Sequence, residues 1–522
     1  MKRRALVFLA SSLVAATAIV PTAQATIIGP ATQITDFSPG RSNLTAAGRF
    51  HATAANPQTG DQIAVYYAYG DSAYLGAQLF DAQGPVGPEQ VIATTGPDSY
   101  YSYSVAYNPS TGGWMVGLQD TQNNEIYGQL LNADGSTSGS AFTVGTGEQG
   151  YAGVKVVWNS TASKFLFSWT SYYEADMKGR FVSGSGTPQG SELTLITFDD
   201  PDEYCPMDSA YSPQENTFLN TVGGQCAYYF DPAYPAVSQL LSGGTAAPVG
   251  SPNLLGPLAV NSFNYAPSVA YNAKANEFGV VWHSRPDLDQ QFELLLQRMN
   301  ASTGAEIGAP VEITPPEGML PYYRRVRVSA SPVTGHYYIT PSLLQGTSSN
   351  PDGWYSFKVT STGATVADSL ENLASGVDGP YRPQNLYNPK TCRFVTTFVG
   401  QDPVTDDYNL YANGADPEPA PCGKPSLKKK GTAGATSLKV RVGCASAGSC
   451  RIKLSGKLVG GKGKVKGVTS KGSGKRTVTL SYSKKLIREL RRNGGGKIRI
   501  TSKEVGGGSR SITVTVPAPV TG

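Results

Sequence analysis

Histidine, methionine and tryptophan are scarce in this chain: three, six and five among 522 residues. The histidines stand at His51, His283 and His336, too far apart for the HExxH pair of a zinc protease. No GxSxG elbow is present, so the α/β-hydrolase signature is absent, and the SxDxGxTW box of sialidases is missing too. Glycine-rich stretches such as Val505 to Ser509 join strands and open no helix, so there is no phosphate loop. The six cysteines include no CxxC pair with a histidine nearby. That pattern argues against a metal, and no cofactor is expected. After residue 25 no apolar run approaches the ~18 residues of a membrane helix.

What the chain has is a repeat. Its clearest copies are SVAYNPSTGGWMVGLQD (104–120) and SVAYNAKANEFGVVWHS (268–284). Anchored on the turn after its first strand, the unit recurs seven times, at Asn56, Asn108, Asn159, Ser212, Asn272, Ser331 and Asn388. Each copy reads as four short strands, A to D: a small half-apolar A, a turn, an aromatic B such as Phe165 to Trp169, an alternating C, and a short D. A unit of this size cannot bury its own sheet and must stack on its neighbours. The fold expected is all-β: a seven-bladed β-propeller over residues 26–415. An open solenoid is the alternative, but it leaves the chain ends unexplained. The seventh copy runs into Asp416-Pro417-Glu418-Pro419 without a strand D, while Gly29 to Thr35 resembles a strand D with no sheet. The N-terminal strand is therefore expected beside residues 408–412, closing the ring and removing a bare edge.

Residues 1–25 read as a signal peptide: Lys2-Arg3-Arg4, an apolar stretch from Ala5 to Val20, then Ala23-Gln24-Ala25. This predicts a secreted, extracellular or cell-wall-associated protein with no membrane span. Cysteines in an oxidising compartment pair, and six allow 15 pairings. Loop positions in the blade scheme favour Cys205–Cys226, Cys392–Cys422 and Cys444–Cys450. Charge divides the chain. Residues 424–522 carry 24 Lys and Arg against Glu489 and Glu504, a net of +22, whereas residues 26–423 carry 16 basic and 36 acidic residues, a net of −20.

After a linker at 416–430, residues 431–522 contain strand-like runs at 437–442, 451–458, 476–481, 497–502 and 511–516, with a short helix capped by Ser483. This reads as a small basic β-sandwich of immunoglobulin-like type. The cysteine pair, the stretch GVTSKGSGKRTVTLSYSKKLIRELRR and the final RSITVTV resemble the basic C-terminal sandwich of many exported actinobacterial proteins. That resemblance implies a fold and an exported setting but no reaction. The repeat region resembles secreted bacterial propellers at the level of fold. The positive module suits an anionic wall polymer, acidic polysaccharide, or docking on the acidic propeller. Tyr482 is its only aromatic, so base stacking has no platform and nucleic acid is not expected.

In a propeller the D–A and B–C connections share one face, the mouth. Tyr101, Tyr151, Tyr204, Tyr265, Tyr323 and Tyr381 gather there, with Arg49, Arg325 and Arg382, and Lys155 lies inside a strand A. Tyrosine rings suit sugar faces, and cations suit carboxylate or sulfate. The same tyrosines also suit the wedges between blades. Acids supplied to the mouth are Asp120, Glu125, Glu174, Asp176, Asp287 and Asp289, with Asp208 at the head of a strand A, and no spacing marks a catalytic pair. The run Asp199 to Glu203 lacks the glycine and spacing of a calcium loop, and no metal site is expected. The function expected is non-catalytic recognition of glycan or cell-wall polymer by a monomer. The alternatives are an extracellular glycan-cleaving enzyme, either hydrolase or polysaccharide lyase, and a protein–protein scaffold.

Overall fold

The computed structural model describes residues 26–27, 31–35, 51–68, 74–81, 83–94, 100–120, 123–147, 153–170, 176–197, 207–223, 236–256, 263–285, 291–315, 319–321, 326–341, 343–345, 355–367, 369–373, 377–402, 407–415, 426–430, 434, 436–443, 449–473, 475–504 and 509–518. Among the described residues the protein is all-β apart from one helix, Lys484–Arg492. Among the described residues no helix is long and apolar enough to cross a membrane.

Among the described residues of 26–415 the strands form eight sheets: a two-stranded ribbon of Met319–Pro321 with Leu343–Gln345, and one of four or five strands for each of the seven repeats. Their first strands are His51–Ala55, Tyr100–Asn108, Val154–Asn159, Met207–Ser212, Phe263–Asn272, Arg327–Ala330 and Asp378–Asn388. Each pairs antiparallel with the strand that follows it. These seven inner strands touch one another in sequence, and the seventh touches the first, so the sheets form a closed, propeller-like ring. The core has the same cyclic order. Apolar clusters fill the gaps between sheets one and two, two and three, three and four, four and five, five and six, six and seven, and seven and one. This explains the unbroken apolar second strands. Gln62–Ala68 and Gly113–Asp120 are buried at every position because both faces meet a neighbouring sheet. The approach is close: a Cβ at Gly117 would lie 2.5 Å from Val156 Cγ2, in the next sheet.

The turn after each inner strand is a single device used seven times. The anchor side chain accepts from backbone N–H groups two or three residues on, as at Asn56, Asn159, Asn272 and Asn388. Ser212 and Ser331 do the same with Oγ. The residue four past the anchor always has positive φ: Gly60, Gly112, Ser163, Asn216, Asn276, Gly335 and Cys392. Anchor amides then reach the next sheet: Asn108 Nδ2 to Gly184 O (2.6 Å), Asn159 to Gly243 O (2.7 Å), Asn272 to Gly335 O (2.9 Å), and Asn388 back to Gly60 O of the first sheet (2.8 Å).

The outer strands carry bulges, each pinned by a third-strand side chain. Gln78, Gln129, Gln239 and Gln297 donate from Nε2 to the carbonyls of Gly87, Gly139, Gly250 and Gly308, all glycines with positive φ. In the third sheet Arg180 Nε takes that place on Gly190 O at 2.9 Å.

The seventh sheet's fourth strand is Thr32–Gln33, with Thr32 opposite Ala412 and Gln33 opposite Tyr411. Ile34 N donates to Leu410 O at 2.7 Å, and Leu410 N donates to Thr35 Oγ1 at 2.9 Å. One strand further upstream was not anticipated: Thr26–Ile27 pairs parallel with Glu371–Asn372 at the edge of the sixth sheet.

In the C-terminal module, Ser426–Lys429, Ser437–Gly443 and Lys475–Ser481 form one sheet, and Lys464–Ser473, Ser449–Leu458, Gly495–Glu504 and Ser509–Pro517 a second. They share a core that includes Leu438, Ile452, Leu480 and Ile500. Ser483 Oγ caps the helix by accepting from Leu486 N at 3.2 Å, and Leu486 and Leu490 are buried. The module begins inside the segment expected as linker, since Leu427 is already core. Lys464–Ser473 went unread because lysine and glycine dilute its alternation.

Cys392 is buried and disulfide-bonded. The pairings expected for Cys205, Cys226, Cys422, Cys444 and Cys450 involve side chains outside the described residues.

Candidate functional site

The mouth residues named from sequence fall largely outside the description. Arg49, Tyr151, Tyr204, Tyr323 and Arg325 lie beyond the described residues. Tyr101, Tyr265, Tyr381 and Arg382 sit in inner strands two, five and seven, and only their backbone is described. Glu174, Asp287, Asp289 and the run Asp199 to Glu203 also lie outside. Among the described residues no group of three or more His, Cys, Asp or Glu side chains is placed to hold a metal.

The inner strands themselves carry a polar belt. Counting four residues back from each anchor gives Ala52, Ser104, Lys155, Asp208, Ser268, Arg327 and Gln384. The belt bridges sheet after sheet. Ser104 Oγ accepts from Val156 N at 3.1 Å. Lys155 Nζ lies 2.6 Å from Asp208 Oδ1. Asp208 Oδ2 accepts from Ser268 Oγ (2.8 Å) and Val269 N (3.1 Å), and Oδ1 from Ser209 N (3.0 Å). Ser268 Oγ in turn accepts from Val328 N at 3.2 Å, and Arg327 Nε donates to Gln384 Oε1 at 3.1 Å. The sheet seven to sheet one step is the His51 Nε2 contact with Thr397 Oγ1 at 2.8 Å. Tyr67 N donates to Tyr103 Oη at 3.2 Å between sheets one and two.

Asp208 is the belt's only acid, and it is buried. Burial alone would lift its pKa, but the Lys155 ammonium and then the Arg327 guanidinium hold it below the usual carboxylate range. Burial in turn pulls the Arg327 guanidinium down, against Asp208. A carboxylate kept ionised by two cations and three N–H or O–H donors cannot serve as a general acid. Two cations share this one anion, so the wall carries net positive charge, and only one donor of the Lys155 ammonium is taken up by Asp208. Lys155 was expected to be available to a ligand; the structure commits it in part to Asp208 because that carboxylate would otherwise be buried alone.

Two of the expected mouth acids are also spoken for. Asp120 caps its own turn, accepting from Asn123 N (3.2 Å) and Asn123 Nδ2 (2.9 Å), and Glu125 accepts from the Tyr127 hydroxyl. A different pair stands out in the fifth sheet. Burial, and then the neighbouring Glu312 carboxylate, push the Glu293 carboxyl up.

At the opposite end of the inner strands, on the turn side, lies a cavity of about 270 Å³. It is lined by Pro57, Pro213, Pro332 and Pro389, each just after an anchor, and by Tyr271 and Tyr387, each just before one. The Tyr271 hydroxyl donates to Asn276 Oδ1 at 2.8 Å, which fixes its ring. Sequence reasoning assigned the prolines to turns and the tyrosines to the ends of A strands. The available signal was tyrosine or tryptophan before the anchor in five of seven copies (107, 158, 211, 271 and 387), with proline after it in five (57, 109, 213, 332 and 389).

No family model matches the chain, and no curated protein does. Solved structures similar to it include the Dos1 propeller, at 13% identity and TM-score 0.42 over 78% of this chain and 93% of that one. AofleA from Arthrobotrys oligospora is similar at 8% identity and TM-score 0.41, covering 68% and 94%. An exo-beta-1,3-galactanase from Phanerochaete chrysosporium is similar at 9% identity and TM-score 0.32, covering 70% and 90%.

Proposed function

We propose that this chain is an exported, glycan-directed seven-bladed β-propeller, latched by its N-terminal strand and followed by a basic immunoglobulin-like sandwich. The observation that carries the reading is the Tyr- and Pro-lined cavity at the turn end of the ring. Two tyrosine faces and rigid proline rings offer flat apolar area to a sugar ring, at a size suited to about one or two residues of a glycan. Further along the same strands, the part-exposed Lys155 ammonium favours a sugar that carries a carboxylate or sulfate. Tyr101, Tyr265 and Tyr381, in inner strands, extend the reading toward the mouth.

The test is calorimetry of the full-length protein against neutral and uronate oligosaccharides. Ala273→Trp, which fills the cavity, abolishes binding while leaving the circular dichroism spectrum unchanged. Undiminished binding by that variant rejects the cavity as the site.

Cleavage is the second reading, and Glu293 with Glu312 favours it. Burial and the neighbouring Glu312 raise the Glu293 carboxyl, and a carboxyl raised beside a second one is the kind of pair that glycoside hydrolysis uses. Reducing-end release from a panel of polysaccharides, lost in Glu293→Gln, is the outcome that supports it.

A further inference from the structure

A second surface lies in the C-terminal module. In the four-stranded sheet of the C-terminal module, Leu454, Leu458, Val465, Ile498 and Ile500 face the core. The alternate positions Lys453, Lys457, Lys464, Lys466, Lys497 and Arg499 are exposed on the other face. Register aligns them: Lys464 lies opposite Lys457, and Lys457 opposite Arg499, a row of three cations across three strands. Strands sit ~4.8 Å apart, well inside the ~8 Å screening length of physiological salt. Like charges directly opposite one another destabilise a sheet. The module's two acids do not relieve them. Glu489 is on the helix, 2.7 Å from Arg492, and Glu504 is at the far end of its strand, five residues beyond Arg499.

A row of uncompensated cations is tolerated where an external anion neutralises it. We infer that this face docks a linear phosphate-rich polymer. Five of the six cations are lysines, compact point charges suited to phosphate, where a carboxylate binder would favour the arginine fork. Exposed Ser455, Thr513 and Thr515 add hydroxyls that bond phosphate oxygens, and Thr513 lies directly opposite Arg499. With Tyr482 buried, the face presents no aromatic ring for a sugar or a base to stack on. Charge spacing is thus what the surface reads.

The experiment uses full-length protein and long-chain inorganic polyphosphate, with affinity measured between 50 and 200 mM salt. Six phosphate contacts give a log–log salt slope of about −4, and the variant Lys453→Gln/Lys457→Gln/Lys464→Gln/Arg499→Gln brings it to about −1.5. A control with equal charge loss elsewhere, Lys428→Gln/Lys439→Gln/Lys484→Gln/Lys485→Gln, keeps a slope within about one of the wild type. Equal weakening in both variants overturns the proposal in favour of undirected charge attraction. Tighter binding to duplex DNA, to dextran sulfate or to anionic vesicles than to polyphosphate overturns the choice of partner. If the sheet variant changes only the salt dependence of the protein's own hydrodynamic radius, the face serves the acidic ring and the proposal falls. Folding is checked by melting: losing like-charge pairs leaves the midpoint of the sheet variant equal or higher.

Discussion

A buried asparagine at the end of an inner strand performs two jobs, and substitution separates them. Asn388 caps its own turn through Oδ1 and ties sheet seven to sheet one through Nδ2. Asn388→Ser keeps a cap of the kind Ser212 and Ser331 already supply, so it costs about 1 kcal/mol, while Asn388→Ala loses both roles and costs about 2–3 kcal/mol in urea unfolding. Asp208 makes the pH dependence explicit. Its pKa is lower in the folded state than in the unfolded chain, where it is ~3.9. The stability it contributes is therefore complete above that value and is lost as pH falls through the folded one. Asp208→Asn lowers stability at neutral pH and flattens the acid limb of the stability curve; an unchanged limb below pH 4 contradicts the assignment. At Ser163, φ of 53° places a residue with a Cβ where glycine is preferred, and Ser163→Gly is expected to raise stability by up to about 1 kcal/mol.

Strands and turns show what the sequence discloses and what it withholds. The repeat period and the anchor turns are legible because each demands a residue type: asparagine or serine to cap, glycine or asparagine for positive φ. The glutamine that holds the outer strand in four of the sheets recurs as well, yet polar residues in strands carry no strong propensity and it passed unread. Gln129→Leu leaves the Gly139 carbonyl without that donor and shifts the register of Thr137–Thr146; slowed-exchange protection at Phe142 and Val144 should fall while the inner strands keep theirs. The turn-end cavity stayed hidden for another reason. Its lining comes from five repeats, and only closure of the ring brings Pro57 near Pro389. Charge pairing was opaque too, since Lys155 and Asp208 stand 53 positions apart in copies that differ at that place.

For the molecule as a whole, each sheet is stabilised by its neighbours. The apolar clusters lie between sheets, so removal of one repeat exposes two faces at once. The C-terminal module has a core of its own. Calorimetry of the full chain should therefore resolve two transitions, and only the one from the ring should shift with Ile34→Ala, which empties a buried site beside Leu410 at a cost of about 2–4 kcal/mol. Coincident movement of both transitions contradicts independent folding.

The joint between Thr35 and Asn409 spans 374 residues of chain. Synthesis delivers its two halves far apart in time, so this closure waits until the chain has passed Asn409 and carries a heavy loop-closure entropy. The reverse step is local: peeling the short edge strand Thr32–Gln33 from Tyr408–Gly414 opens the seventh sheet. A closure of this kind ties the protein's lifetime to how often that strand lifts, which is a rate and not an equilibrium.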